Sequence, residues 1–107
     1  MKFKMSSNIA LRTDRVKDAV DFYTRVIGFD NRSTDPESAE LEASPITFYI
    51  LPDDEPRGPV LELFVDDLEQ ARQELVASGC TILRWEGKGR DCYVQDPFGI
   101  VFNIWQT

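Results

Sequence analysis

Two stretches decide how this chain folds: Ile9-Ala-Leu-Arg-Thr-Asp-Arg-Val-Lys-Asp-Ala19 and Leu61-Glu-Leu-Phe-Val-Asp-Asp-Leu-Glu-Gln-Ala71. Set one above the other, they match Leu11 with Leu63, Asp14 with Asp66 and Ala19 with Ala71. Each begins with the alternation of a half-buried strand and then changes to a helical period. A second pair closes the copies: Pro45-Ile-Thr-Phe-Tyr-Ile-Leu51 falls on Gly99-Ile-Val-Phe-Asn-Ile-Trp105, matching Ile46 with Ile100, Phe48 with Phe102 and Ile50 with Ile104. Between the copies, Pro52-Asp-Asp-Glu-Pro-Arg-Gly-Pro59 has the composition of a linker. The expected organisation is one domain over 1–107, with module one at 6–51, a linker at 52–59 and module two at 60–107.

The first helix is expected to carry Val16, Ala19, Val20, Tyr23, Val26 and Ile27 on one side, with Asp14 as N-cap and Gly28 as C-cap. The second carries Leu68, Ala71 and Leu75, with Asp66 and Glu69 in capping-box spacing and Gly79 as the stop. Short strands follow each helix: around 29–33, 39–43 and 46–51 in the first copy, and 81–85, 91–95 and 100–105 in the second. Asp96-Pro97-Phe98-Gly99 has the residues of a type I turn, which joins the last two strands antiparallel. Each copy is therefore β-α-β-β-β.

Composition excludes several functions. Nineteen acidic against twelve basic residues give a net charge of −7, which repels phosphate backbones, so no nucleic-acid partner is expected. The same charge either favours a cationic small molecule or serves solubility alone. With no run of eighteen apolar residues and no apolar segment after the basic start, no membrane partner is expected, and the location expected is cytoplasmic. Cys80 and Cys92 lack CxxC spacing and are expected as buried thiols. Histidine is absent from the chain. That removes the commonest metal ligand and general base at neutral pH, so any catalysis rests on carboxylates, Tyr, Lys, Arg or Cys.

Alternation splits each strand into two faces. Ile9, Leu11, Phe48, Ile50, Leu63, Val65, Ile100, Phe102 and Ile104 belong to the apolar face beneath the helices. The opposite face carries Asn8, Arg12, Tyr49, Glu62, Phe64, Asn103 and Trp105, a mixture suited to a ligand. Asn103 is either a satisfied amide or a donor–acceptor pair that orients a ligand. Glu62 binds a cation or accepts a proton, Arg12 holds a carboxylate or phosphate, or the two pair with each other. Tyr49 and Trp105 either stack on a planar ligand or fill space. Trp85, in the glycine-bearing stretch 84–90, is read as a rim or lid residue or as an exposed turn aromatic. The Gly87-x-Gly89 spacing is followed by a strand-like run, not a helix, so a phosphate loop is rejected.

The doubled module, the strand-to-helix opening with Phe22-Tyr23 and the closing Gly89-Arg-Asp-Cys-Tyr-Val-Gln-Asp-Pro-Phe-Gly99 resemble the vicinal oxygen chelate superfamily. That superfamily holds glyoxalase I, extradiol dioxygenases, and fosfomycin- and bleomycin-resistance proteins. The resemblance implies an α+β fold in which two tandem βαβββ modules form a curved mixed sheet around a concave cavity lined by the mixed face. It also implies a homodimer, since such cavities are commonly completed between protomers. Enzymes of the superfamily place metal ligands at positions that fall here on Asn8, Tyr49, Val60 and Asn103, none of which is imidazole or carboxylate. The expectation is no metal and no cofactor. The protein is expected to bind a cationic or planar small molecule, as the bleomycin-resistance branch does. The alternative is a glyoxalase- or dioxygenase-type enzyme with Glu62 as the catalytic candidate.

Overall fold

A computed structural model describes residues 2–107. In chain order it contains β1 (Lys4–Met5), β2 (Asn8–Thr13), α1 (Val16–Asp21), a π-helical turn (Phe22–Val26), β3 (Asp30–Asn31), β4 (Ala39–Ala43), β5 (Ile46–Pro52), β6 (Arg57–Val65), α2 (Leu68–Ala77), β7 (Thr81–Trp85), β8 (Cys92–Gln95) and β9 (Val101–Gln106). The fold is α+β, and the succession β-α-β-β-β occurs twice, from β2 to β5 and from β6 to β9. The chain divides into two compact units. The first is Ser7–Val60; the second joins Leu61–Thr107 with the N-terminal strand β1. The stretch read as a linker holds the end of β5, a short turn and the start of β6.

In the first unit the strand order is β3-β4-β5-β2, followed by the N-terminal end of β6. The β2–β5 pair is parallel, with Asn8 beside Thr47, Ala10 beside Tyr49 and Arg12 beside Leu51. The β4–β5 pair is antiparallel, with Leu41 beside Phe48 and Glu40 beside Tyr49. Paired residues share a face of the sheet. Ala39, Leu41 and Ile50 therefore turn together under the helix, where Val16, Ala19, Val20 and Tyr23 pack on them. Tyr23 meets Phe48 edge-on at 4.8 Å and stacks with Phe29 at 6.2 Å. Leu41 and Ile50 are fully buried, each contributing about 1.5–3 kcal/mol by removal from water.

The second unit runs β6-β9-β8-β7, with β1 added to β6 through Lys4 beside Phe64 and Met5 beside Leu63. Its core is Val65, Leu68, Ala71, Cys92, Val94 and Ile104, with Phe3, Leu75, Ile82, Trp85 and Phe102 packed around it. Neither cysteine is in a disulfide. The Asp96 turn forms as expected: its Oδ1 accepts from the N–H groups of Phe98 and Ile100, both at 2.9 Å. That turn draws Ile100 out of β9 and leaves it exposed, not beneath α2 as the alternation suggested.

The helices depart from expectation at their ends. Asp14 does not cap α1; Arg15 occupies the N-cap with no side-chain capping bond, and the Arg15 N–H goes to Thr13 Oγ1 at 3.0 Å. For α2 the cap is Asp67, not Asp66: Asp67 is extended and accepts the Gln70 N–H at 3.0 Å. The capping-box spacing thus lies one residue later, at Asp67-x-x-Gln70. Gly79 ends α2 at φ +99 as read from the sequence. After Asp21 the first helix widens: Ile27 N–H bonds to Phe22 C=O at 3.2 Å and Gly28 N–H to Tyr23 C=O at 3.1 Å. Thr24 Oγ1 donates to the Val20 carbonyl at 2.7 Å, a back-bond that loosens a helix. The wider turn breaks the 3.6-residue period, so Val26 and Ile27 stand 58% and 50% exposed and do not face the sheet.

Candidate functional site

The seven residues singled out by alternation fall on the faces turned away from the helices, in two groups. On the second unit, β6 presents Glu62 and Phe64 opposite in sense to Leu63 and Val65, and β9 presents Asn103 and Trp105 opposite in sense to Ile104. The structure brings Glu62 and Asn103 together: Asn103 Nδ2 donates to Glu62 Oε2 at 3.2 Å. Asn103 Oδ1 in turn accepts the Cys92 backbone N–H at 2.9 Å. The backbone bond fixes which end of the amide is the acceptor, and hence that the donor end faces the carboxylate. Phe64 also lines a hollow of about 660 Å³ with Phe3, Lys4, Asp66 and Thr107.

Three residues that the alternation reading missed share this face. Tyr93 lies beside Asn103 in the β8–β9 ladder and beside Arg84 in β7–β8. The Arg84 guanidinium sits 5.4 Å over the Tyr93 ring and pairs with Asp91 at 3.2 Å. The alternation of Asp91-Cys-Tyr-Val-Gln95, with Cys92 and Val94 in the core, was the available signal. Trp85 is on the other side. It lies beside Cys92 in β7–β8 and packs on the α2 core with the Arg72 guanidinium 5.1 Å over its ring, so it is neither rim nor exposed turn.

On the first unit, Asn8, Tyr49 and Arg12 share one face, with Val60 beside Ala10 in the β2–β6 pair. Glu40 and Glu42 join them, because β4 alternates with Ala39, Leu41 and Ala43 buried; the sequence reading had passed over both. Glu42 is held by the N–H and hydroxyl of Ser44 and pairs with Arg32 at 3.1 Å. Those bonds to Ser44, with a smaller share from Arg32, hold its carboxyl below the ordinary range.

A divalent transition metal at the superfamily's ligand positions would need donors from Asn8, Tyr49, Val60 and Asn103. Val60 has only alkyl carbons and is 2% exposed. The Asn103 oxygen is engaged by the Cys92 N–H. Amide and phenol are poor donors beside imidazole and carboxylate. Among the described residues no cluster of three or more His, Cys, Asp or Glu could hold a metal ion. The residues present do not fit the group.

Residues 8–105 match the model of the glyoxalase-like domain family, and the chain belongs to that family. No curated protein matches it. Among solved structures, it is similar to a glyoxalase/bleomycin resistance protein/dioxygenase superfamily member from Vibrio splendidus, at 18% identity and TM-score 0.67, covering 99% of this chain and 100% of that one. A Mn(II)-bound glyoxalase from Novosphingobium aromaticivorans has 18% identity and TM-score 0.61, covering 96% of this chain and 38% of that one. An extradiol ring-cleaving dioxygenase from B. fuscum has 15% identity and TM-score 0.62, covering 94% and 31%. At these identities the likeness is one of fold. Among the described residues no helix is long and apolar enough to cross a membrane.

Proposed function

We propose that this protein is a metal-free member of the glyoxalase/bleomycin resistance superfamily that binds a planar, positively charged small molecule without transforming it. The observation that carries the reading is the state of Asn103. At the position where related enzymes use glutamate, its oxygen serves the Cys92 N–H and its nitrogen orients Glu62. An oriented carboxylate suits a cation, and the chain's net charge of −7 attracts one. Trp105, on the same face as Glu62 and Asn103, supplies a flat surface for stacking. Stacking and cation–π contacts of about 1 kcal/mol each, with one charge-assisted hydrogen bond, correspond to roughly micromolar affinity. We take the protein to act in the cytoplasm as a homodimer.

The test is a thermal-shift screen of cationic and anionic libraries on protein whose metal content is measured after loading and desalting. A planar cation should raise the melting temperature, Glu62→Gln and Trp105→Ala should each weaken its binding about tenfold or more, and metal should stay well below one equivalent. Stoichiometric retained metal, or shifts from anions alone, overturns the proposal. Tryptophan quenching serves as a second readout once Trp85→Phe has removed the core indole. A second reading, a glyoxalase-related lyase or dioxygenase built on Glu62, draws on the metal-bound glyoxalase and the dioxygenase among the structural neighbours; turnover lost in Glu62→Gln would decide for it.

A further inference from the structure

We propose that the hollow at the C-terminal end of β6 binds a zwitterion with an apolar body, the chemistry of a free aromatic amino acid. It lies wholly in the second unit and uses none of Glu62, Asn103 or Trp105, so it stands whether or not the cation-binding reading does. The hollow holds about 660 Å³ and is lined by Lys2, Phe3, Lys4, Phe64, Asp66 and Thr107, together with Val65, a size within the range of small-molecule sites. Backbone bonds build its walls on two sides. On one, β1 is held to β6 by the pairing of Lys4 with Phe64 and by the Ser6 N–H on the Glu62 carbonyl at 2.9 Å. On the other, the Thr107 N–H and hydroxyl both donate to the Val65 carbonyl, at 3.0 and 3.4 Å.

The lining sorts by chemistry. Phe3 and Phe64 are half-buried, Phe3 against the α2 core, and give the apolar wall. Lys2, Lys4 and Asp66 are exposed at the rim, and among the described residues their side chains make no hydrogen bond or ion pair. Asp66 was read as the cap of α2, but Asp67 takes that place, which leaves the Asp66 carboxylate to the hollow. Lys4 stands beside Phe64, and Asp66 follows Phe64 by two residues, so a cationic and an anionic rim group are separated by roughly 7 Å of strand. A carboxylate alone is repelled by Asp66, and an amine alone by the two lysines; a zwitterion meets both with the right sign. One exposed ion pair contributes little, so selectivity arises from making both at once while an aromatic ring leaves water against Phe3 and Phe64.

The experiment follows the backbone amide signals of nitrogen-15-labelled protein during titration with L-phenylalanine, phenylpropanoate and phenylethylamine near neutral pH at constant ionic strength. The signals of Lys4, Phe64, Asp66 and Thr107 should move and saturate. L-phenylalanine should bind about fivefold more tightly than either singly charged probe, the upper end for one exposed ion pair. In Asp66→Asn its advantage over phenylpropanoate should vanish; in Lys2→Gln combined with Lys4→Gln its advantage over phenylethylamine should vanish. These positions are exposed and Asp66→Asn leaves the Asp67 cap in place, so the variants should keep the native spectrum elsewhere. Asp14→Asn makes the same charge change in the first unit and should leave all three affinities unchanged. Equal affinity for the three probes, saturation by none of them, or a preference that survives in Asp66→Asn or in the double lysine variant overturns the site. Saturating shifts that spare Lys4, Phe64, Asp66 and Thr107 overturn it too.

Discussion

In the first unit the helix after the opening strand runs six residues as α-helix and five more as a π turn, while in the second it runs ten residues of regular α-helix. The first has no side-chain cap; the second is closed by Asp67 at one end and Gly79 at the other. Yet both lie on a layer of alternating strand residues: Ala39, Leu41 and Ile50 in one unit, Val65, Val94 and Ile104 in the other. Strand alternation is what the copies share. A helix need only deliver a few apolar side chains to that layer, and its ends are free to differ.

The strongest challenge to this comparison is truncation of the shared layer. Leu41→Ala and Ile104→Ala, at residues 0% and 1% exposed, should each cost about 3 kcal/mol in urea unfolding, because a cavity is added to the lost burial. A loss below about 1 kcal/mol at either would mean that the two layers are not equivalent. A smaller effect sharpens the contrast of the helix ends. Asp67→Ala should cost about 1 kcal/mol, whereas Asp14→Ala should stay within about 0.5 kcal/mol because Asp14 caps nothing; equal costs would erase the difference. The smallest effect concerns pH. Burial pushes the Cys92 thiol up from its ordinary value. The folded chain therefore keeps a proton that the unfolded chain releases above about pH 8.5. Stability should fall with pH above that point, and fall less in Cys92→Ala, as read from denaturation midpoints at pH 8 and pH 9.5.

The doubled β-α-β-β-β order was legible because strand alternation and the change to helical period are local signals, repeated at Leu11 and Leu63. The face bearing Glu62 and Asn103 was legible for the same reason. Details that depend on competition among neighbouring groups were not. Two adjacent aspartates, Asp66 and Asp67, offered the same cap, and backbone conformation chose the second. Ile100 fits the apolar alternation, but Asp96 claims its N–H for the turn. Arg57 looked like linker because Pro56, Gly58 and Pro59 surround it, although β6 begins there. Asn103 was read as either a satisfied amide or a group that orients a ligand; its partners, the Cys92 N–H and Glu62, lie 11 and 41 residues away in the chain, beyond any local signal.

The widened turn at Phe22–Val26 bears on how the chain tolerates changes in length. A π turn holds about one residue more than an α turn, so it has the form of a helix that has absorbed an insertion. Deleting Thr24 would let the following amides return to ordinary α spacing and swing Val26 and Ile27 about 100° around the axis, while Val16, Ala19 and Val20 keep their places on the sheet. The same deletion within α2 would rotate Leu75 relative to Leu68 and Ala71, which hold that helix to its core. Length variants of this domain should therefore accumulate in the first helix and be purged from the second.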